Sequence, residues 1–237
     1  MTLFPFPPFF GRTFPMAQTG TTSAVWSGVA LIQADRADIF FQIFPEASEK
    51  LYAAYCFALW HHRKQKRRGR GRAFIHHPLT VALIVQQAGG TEEQLIAAFL
   101  HDTIEDADAN KKTRDQVYNA IKRKFGKDVA DLVLALSNAD KLDKKLKRQW
   151  QLDHYAKAPD KVRLVKSCDT VSKLVDEVFD PSRKPKSIVK LVHFLNAFLA
   201  QKDGTNPLAA QLRDEVVARL NLDIATPVPD DGETDDA

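Results

Sequence analysis

Residues 99–106 read FLHDTIED and set His101, Asp102, Glu105 and Asp106 directly after the apolar run LIAAFL. Continued as one helix, LIAAFLHDTIED stacks His101 with Glu105 on one face and Asp102 with Asp106 on the next. Two carboxylates at that spacing repel by about 0.2–0.5 kcal/mol when exposed, and by more when buried. A divalent cation reverses that sign, and imidazole mixed with carboxylate is a donor set such a cation accepts. An adjacent His-Asp pair supplies at most two ligands to one ion, so other segments have to provide the rest. On its own, the stretch reads first as a solvated helix end with a satisfied core histidine. Two further stretches alter that balance. FIHHPLTVA sets His76 and His77 ahead of Pro78 at the mouth of an apolar helix. VKSCDTVSKLV sets Asp169 inside an otherwise apolar helical segment, where an unpaired acid is costly.

A His, then a His-Asp pair, then a distant Asp is the ligand order of the HD phosphohydrolase superfamily. The blocks HRKQKRR, FIHHPLTVALIVQQAG, LIAAFLHDTIED, FGKDVADLV and LVKSCDTVSKL resemble, in order, one branch of it. That branch comprises the hydrolase domain of the stringent-response enzymes and their stand-alone small alarmone hydrolase relatives, which remove pyrophosphate from the 3′ position of (p)ppGpp. The resemblance spans about residues 48–200. It implies that His77, His101, Asp102 and Asp169 bind one metal ion, Mn²⁺ in the family; the ligand types alone also admit Zn²⁺ or Fe²⁺. It further implies that Glu105 and Asp106 are the catalytic acids, beside a water that the ion acidifies.

The run HHRKQKRRGRGR, residues 61–72, carries seven Lys/Arg and alone reads as a nucleic-acid patch or a solvated helix end. The resemblance assigns Arg67 to the substrate's base and Arg68 to a phosphate. It points to Lys145 and Arg148, in DKLDKKLKRQW, as further phosphate contacts. After the distant acid, relatives continue as Asp-Lys-Leu-Tyr-Asn, whereas this chain reads Asp169-Thr170-Val171-Ser172-Lys173. Ser172 and Lys173 thus replace the two residues that help hold the nucleoside. This leaves guanine and adenine alarmones, (p)ppGpp and (p)ppApp, equally open as substrates, and Lys173 is a candidate phosphate contact. Other readings keep the metal and change the phosphorylated nucleotide, or make residues 61–72 an RNA-binding or regulatory module. The complete ligand set with two spare acids argues against nucleic acid as the partner.

The elements that position these residues are helical. Ser48 and Thr91 are N-cap types before SEKLYAAYCFALWHHRKQ and TEEQLIAAFLHDTIED, and a glycine pair closes HPLTVALIVQQAGG. RDQVYNAIKRKFG, KDVADLVLALSNA, KLKRQWQLDHYAKA, PDKVRLVKSCDTVSKLVDEVF, SIVKLVHFLNAFLAQ and PLAAQLRDEVVARLN follow, and no run alternates with period two. The expectation is an all-α, single HD-domain bundle of about eight to ten helices over residues 24–224. Residues 1–23 form a flexible Phe/Pro-rich arm in which Met16 offers an alternative start, and residues 225–237 a disordered acidic tail. A chain of 237 residues, 44% hydrophobic and 27% charged with a net charge of +4, suits one soluble domain. Nothing approaches the roughly 18 apolar residues of a membrane span. The two cysteines, Cys56 and Cys168, form no finger spacing, and a reducing, cytoplasmic setting is expected. A nucleotide is the expected partner, no membrane contact is foreseen, and homo-oligomerisation is left open.

Overall fold

The computed structural model describes residues 20–34, 38–67, 71–139, 146–179, 181–201 and 206–225. The regions expected to be a flexible arm and an acidic tail lie almost wholly outside the described residues, as do Arg68 and Lys145. Eleven α-helices and one 3-10 turn fill the described part, and its one β feature is an isolated bridge between Lys66 and Ala73. The all-α expectation holds. Two helices precede the segments picked out from the sequence: α1 (Thr22–Gln33) and α2 (Ile39–Ile43).

Three helices form the centre. α4 (His76–Gln87) is buried on nearly every side. It packs against α5 (Glu92–Leu100), which starts from a capping box between Thr91 and Gln94. It also packs against α9 (Asp160–Phe179), whose buried residues run from Val162 to Glu177. α3 (Glu49–His61), capped by the Ser48 hydroxyl, covers α5. α6 (Arg114–Phe125) and α7 (Lys127–Leu136) meet at Gly126, whose φ of 99° favours glycine. α8 (Lys147–Ala156), α10 (Pro185–Ala200) and α11 (Pro207–Arg219) complete the bundle.

The described residues before 48, namely 20–34 and 38–47, lie outside the span of the resemblance and contribute to this core. Phe40 of α2 stacks on Tyr55 at 4.7 Å and lies 5.9 Å from Phe99, the residue that opens FLHDTIED. α1 lies tightly on α4: a Cβ at Gly28 would meet a Leu83 methyl at 2.5 Å.

Both ends of α9 are pinned by buried charge. Arg163, fully buried, donates to the carbonyls of Tyr155 (2.6 Å) and Phe198 (3.1 Å), near the C-termini of α8 and α10. Carbonyl ends of helices carry partial negative charge, which suits a guanidinium there. At the other end, buried Glu177 accepts from Ser182 N (2.7 Å), Arg183 N (3.0 Å) and Arg183 Nη1 (2.5 Å). Removing one partner of a buried pair strands the other. Glu177→Ala is therefore expected to lower unfolding free energy by about 3–5 kcal/mol, read from urea midpoints. A loss below about 1 kcal/mol would show that the cap is not holding the helix end.

Candidate metal centre

His77 lies in the first turn of α4, where Pro78 is tolerated because the first amides have no intrahelical acceptor. Asp169 lies in the middle of α9. His101 and Asp102 follow the end of α5. The expectation that one helix runs through Asp106 is corrected here: regular helix stops at Leu100, and residues 101–106 form successive turns. The amide and hydroxyl of Thr103 both bond the Leu100 carbonyl, at 2.9 and 2.6 Å. A bond three residues back tightens the chain and displaces the helical ladder. His101 and Asp102 consequently turn to a common point, while Glu105 and Asp106 turn to different neighbours.

At that point His101 Nε2 stands 3.2 Å from His77 Nε2, 3.0 Å from Asp102 Oδ2 and 3.6 Å from Asp169 Oδ1. His77 Nε2 stands 3.1 Å from Asp169 Oδ1 and 3.7 Å from Asp102 Oδ2. His77, His101 and Asp169 are buried, whereas the Asp102 side chain keeps 24% of its surface exposed and marks the mouth. Each ring's outer nitrogen is committed: His101 Nδ1 to the Ala98 carbonyl at 2.8 Å and His77 Nδ1 to Ser172 Oγ at 3.2 Å. With Nδ1–H donated on both rings, the two Nε2 lone pairs face each other, an arrangement that asks for a cation or a proton between them. Asp169 Oδ1 is buried and has no hydrogen bond of good geometry, its close neighbours being the Lys173 ammonium and the two Nε2 atoms.

Ligands about 2.1 Å from a shared ion stand about 3.0 Å apart at right angles and about 3.5 Å apart at tetrahedral angles. The separations of 3.0, 3.1 and 3.2 Å lie in that range, and those of 3.6 Å (His101–Asp169) and 3.7 Å (His77–Asp102) fall just beyond it. His77, His101 and Asp169 thus each offer a ligand atom within 4.8 Å of the others, a grouping that could hold a metal ion, and Asp102 Oδ2 borders it at 3.0 and 3.7 Å from the two Nε2 atoms.

Charge is balanced locally. Lys166 Nζ, buried, lies 2.9 Å from Asp169 Oδ2, and Lys173 Nζ lies 3.0 Å from Oδ1. Burial raises the Asp169 carboxyl's pKa, but these ammonium groups outweigh it and hold the carboxyl well below the usual range. Burial similarly disfavours a charged His101, yet Asp102 and Asp169 push its pKa up to about 10. Burial, aided by the charge of Arg67, takes His77 down to about 3. The surroundings thus favour the charged form of the first ring and the neutral form of the second.

The two remaining acids, three and four positions after Asp102, have partners of their own. Glu105 accepts from Asn138 Nδ2 (2.8 and 3.0 Å) and Asn138 N (3.2 Å), with Lys147 Nζ at 3.9 Å. Asn138 is itself held by Gln151 Nε2 at 2.8 Å. Asp106 Oδ2 accepts from Gln65 Nε2 at 2.9 Å, and burial together with the Asp102 charge raises Asp106 to about 6. His61 and His62 face Asp106 and Gln65 and lie outside the ligand cluster.

Of the remaining site candidates, Arg67 donates to buried Asp176 at 2.5 Å, Arg148 is half-buried on α8, and Lys173 sits on Asp169. Sequence reading passed over Asn138, Gln151, Lys147 and Lys166. The one signal among them is Lys166, a basic residue three before an acid on the same apolar helix.

Comparison with known proteins places the chain in a family. A protein-family model described as an HD domain matches residues 54–206. The chain belongs to the HD-domain family. A guanosine-3′,5′-bis(diphosphate) 3′-pyrophosphohydrolase from Aquifex aeolicus is 34% identical over 177 residues, 72% of this chain and 24% of that protein. The Xenopus tropicalis guanosine-3′,5′-bis(diphosphate) 3′-pyrophosphohydrolase MESH1 is 32% identical over 123 residues, 51% of this chain and 65% of that one. The chain thus spans less than two thirds of either relative's length. A solved structure described as a metazoan ortholog of SpoT that hydrolyzes ppGpp superposes with a TM-score of 0.63 at 23% identity. It covers 74% of this chain and 98% of that one, a likeness of fold. Among the described residues, no helix is long and apolar enough to cross a membrane.

Proposed function

We propose that this protein is a metal-dependent hydrolase that removes the 3′-pyrophosphate from guanosine or adenosine alarmones, (p)ppGpp or (p)ppApp. The products are GDP/GTP or ADP/ATP and pyrophosphate. The observation that carries the reading is the convergence of His77, His101, Asp102 and Asp169, whose donor atoms lie 3.0 to 3.7 Å from one another in the pairs His101–Asp102, His77–Asp169, His77–His101, His101–Asp169 and His77–Asp102. The activity named for the relatives supplies the substrate class. Two nitrogens and two carboxylate oxygens suit Mn²⁺, with Zn²⁺ and Fe²⁺ also acceptable to this set.

Bound there, the ion would act as a Lewis acid, acidifying a water and drawing charge from the phosphoryl oxygens. The water oxygen forms a bond to the phosphorus attached to the 3′ oxygen, the bond between that phosphorus and O3′ breaks, and O3′ takes up a proton. Glu105 is held by Asn138 in one orientation and serves as the acceptor of the water's proton. Asp106, with Gln65 on Oδ2, keeps Oδ1 for a proton in transit. Arg67, paired with Asp176, is the candidate for the substrate's base, and Arg148 and Lys173, together with Arg68 and Lys145 outside the described residues, are the candidates for its phosphates. Ser172 and Lys173 stand in the nucleoside positions of relatives, which favours including the adenine alarmone with the guanine one.

The test is phosphate and pyrophosphate release from ppGpp, ppApp and simple nucleotides with Mn²⁺, with the products identified. Intact pyrophosphate and a 5′-phosphorylated nucleoside with a free 3′ hydroxyl are expected, and chelation should abolish both. Turnover of neither alarmone would overturn the substrate assignment. Salt-sensitive RNA binding that survives Asp102→Asn, without turnover of any nucleotide, would favour the binding-module reading.

A further inference from the structure

The two candidate histidine ligands solve the same problem in different ways. A ring that presents Nε2 to a cation has to carry its proton on Nδ1 and give that proton to an acceptor. His101 follows the C-terminal end of α5, where carbonyls lack helical partners, and takes the Ala98 carbonyl at 2.8 Å. His77 sits at the opposite kind of end. The first turn of α4 offers amide donors and no spare carbonyl, so the acceptor has to arrive from another helix.

It arrives from α9. Ser172 Oγ lies 3.2 Å from His77 Nδ1 and 2.8 Å from the Asp169 carbonyl oxygen. The hydroxyl's one proton is donated to that carbonyl, so its lone pair receives Nδ1–H. Ser172 is fully buried and the His77 side chain is 1% exposed, so no water substitutes for the hydroxyl. A serine that bonds only the carbonyl three residues back is ordinary in a helix. This one also reaches a ligand candidate 95 positions away in sequence. It links the turn bearing Asp169 to the ring of His77.

We infer that Ser172 is a positioning residue for the metal: its hydroxyl fixes the tautomer and the plane of His77, so that Nε2 offers a lone pair to a divalent cation. Ser172 touches neither the ion nor the substrate. Its contribution appears as affinity for the ion, and as turnover only through that affinity. The inference rests on the metal reading of the site proposed above.

The probe is Mn²⁺ alone, titrated by calorimetry into the metal-stripped full-length chain. Partners of this kind are worth about 10–100-fold in metal affinity. Ser172→Ala is expected to weaken Mn²⁺ binding by about that factor. Because alanine at a buried site also perturbs packing, the decisive pair is Ser172→Thr against Ser172→Val. The two side chains have nearly the same shape and differ in one hydroxyl. Threonine is expected to bind Mn²⁺ close to wild type and valine to match alanine, with both melting at similar temperatures without metal. Equal affinity for the threonine and valine variants, strong or weak, would overturn the inference. So would an alanine variant that binds like wild type, with the metal reading left standing. A wild-type chain that binds no divalent ion would remove both.

Discussion

Asp169→Ala is expected to abolish hydrolysis, by about a thousandfold or more with Mn²⁺ present, because on the proposed reading it removes a ligand of the ion that would activate the water. The same change should destabilise the fold, whereas Asp102→Ala should stop turnover with a smaller effect on stability. The difference lies in what each carboxylate leaves behind. Asp169 is buried and neutralises Lys166 at 2.9 Å and Lys173 at 3.0 Å. Lys173 is partly exposed and reaches water, but Lys166 has 9% of its side chain accessible. A buried ammonium deprived of its partner costs about 3–5 kcal/mol. Asp102 stands at the mouth, and the buried cation it leaves, His101, can shed its proton and become neutral far more readily than the Lys166 ammonium can. Urea unfolding of the two metal-free variants separates them. The double variant Asp169→Ala, Lys166→Met should recover most of the stability and none of the turnover. If Asp169→Ala unfolds at the wild-type midpoint, the charge accounting around α9 is wrong.

Glu105→Gln should lower kcat by about 10²–10⁴-fold, the range for a positioned general base, while leaving Mn²⁺ affinity near wild type. The carboxylate's contacts are with Asn138 and Lys147, and none is with a ligand candidate. Glutamine keeps the shape and one acceptor oxygen for the Asn138 amide but cannot take a proton from water. Asn138→Ala should produce a smaller fall in kcat, because the base remains and only its orientation is released. Calorimetry with Mn²⁺ beside steady-state kinetics reads both quantities. A parallel loss of metal affinity in Glu105→Gln would make Glu105 a ligand and not a base.

The helical class and much of the site were legible because they are written in local pattern. Thr91 with Gln94, Gly126 after Phe125 and the apolar stripe of α9 declare their helices with no tertiary knowledge. Asp169 stood out as an acid in an apolar helix, and the structure sets it beside His77 and His101. The end of α5 was not legible. HDTIED is compatible with helix, and what stops it is the competition between the Thr103 hydroxyl and amide for one carbonyl. Helix α2 was missed because five residues are too few to show a period, and its reason for folding is the aromatic cluster it joins. Asn138, Gln151 and Lys147 were invisible for a related reason. Their significance is a partner more than 30 positions away, or a second polar residue behind the first. In the basic run, charge was legible while destination was not: Arg67 is spent on Asp176 of α9.

The same face of α9 bears Lys166, Asp169, Ser172, Lys173 and Asp176, which between them reach a counter-charge, a ligand position, a neighbouring ring and an arginine. A helix cannot absorb an added or deleted residue silently: each one rotates everything beyond it by about 100° and shifts it by about 1.5 Å. One extra codon between positions 166 and 176 would swing the groups beyond it off the cluster although none of them had been replaced. The segment should therefore tolerate no change in length.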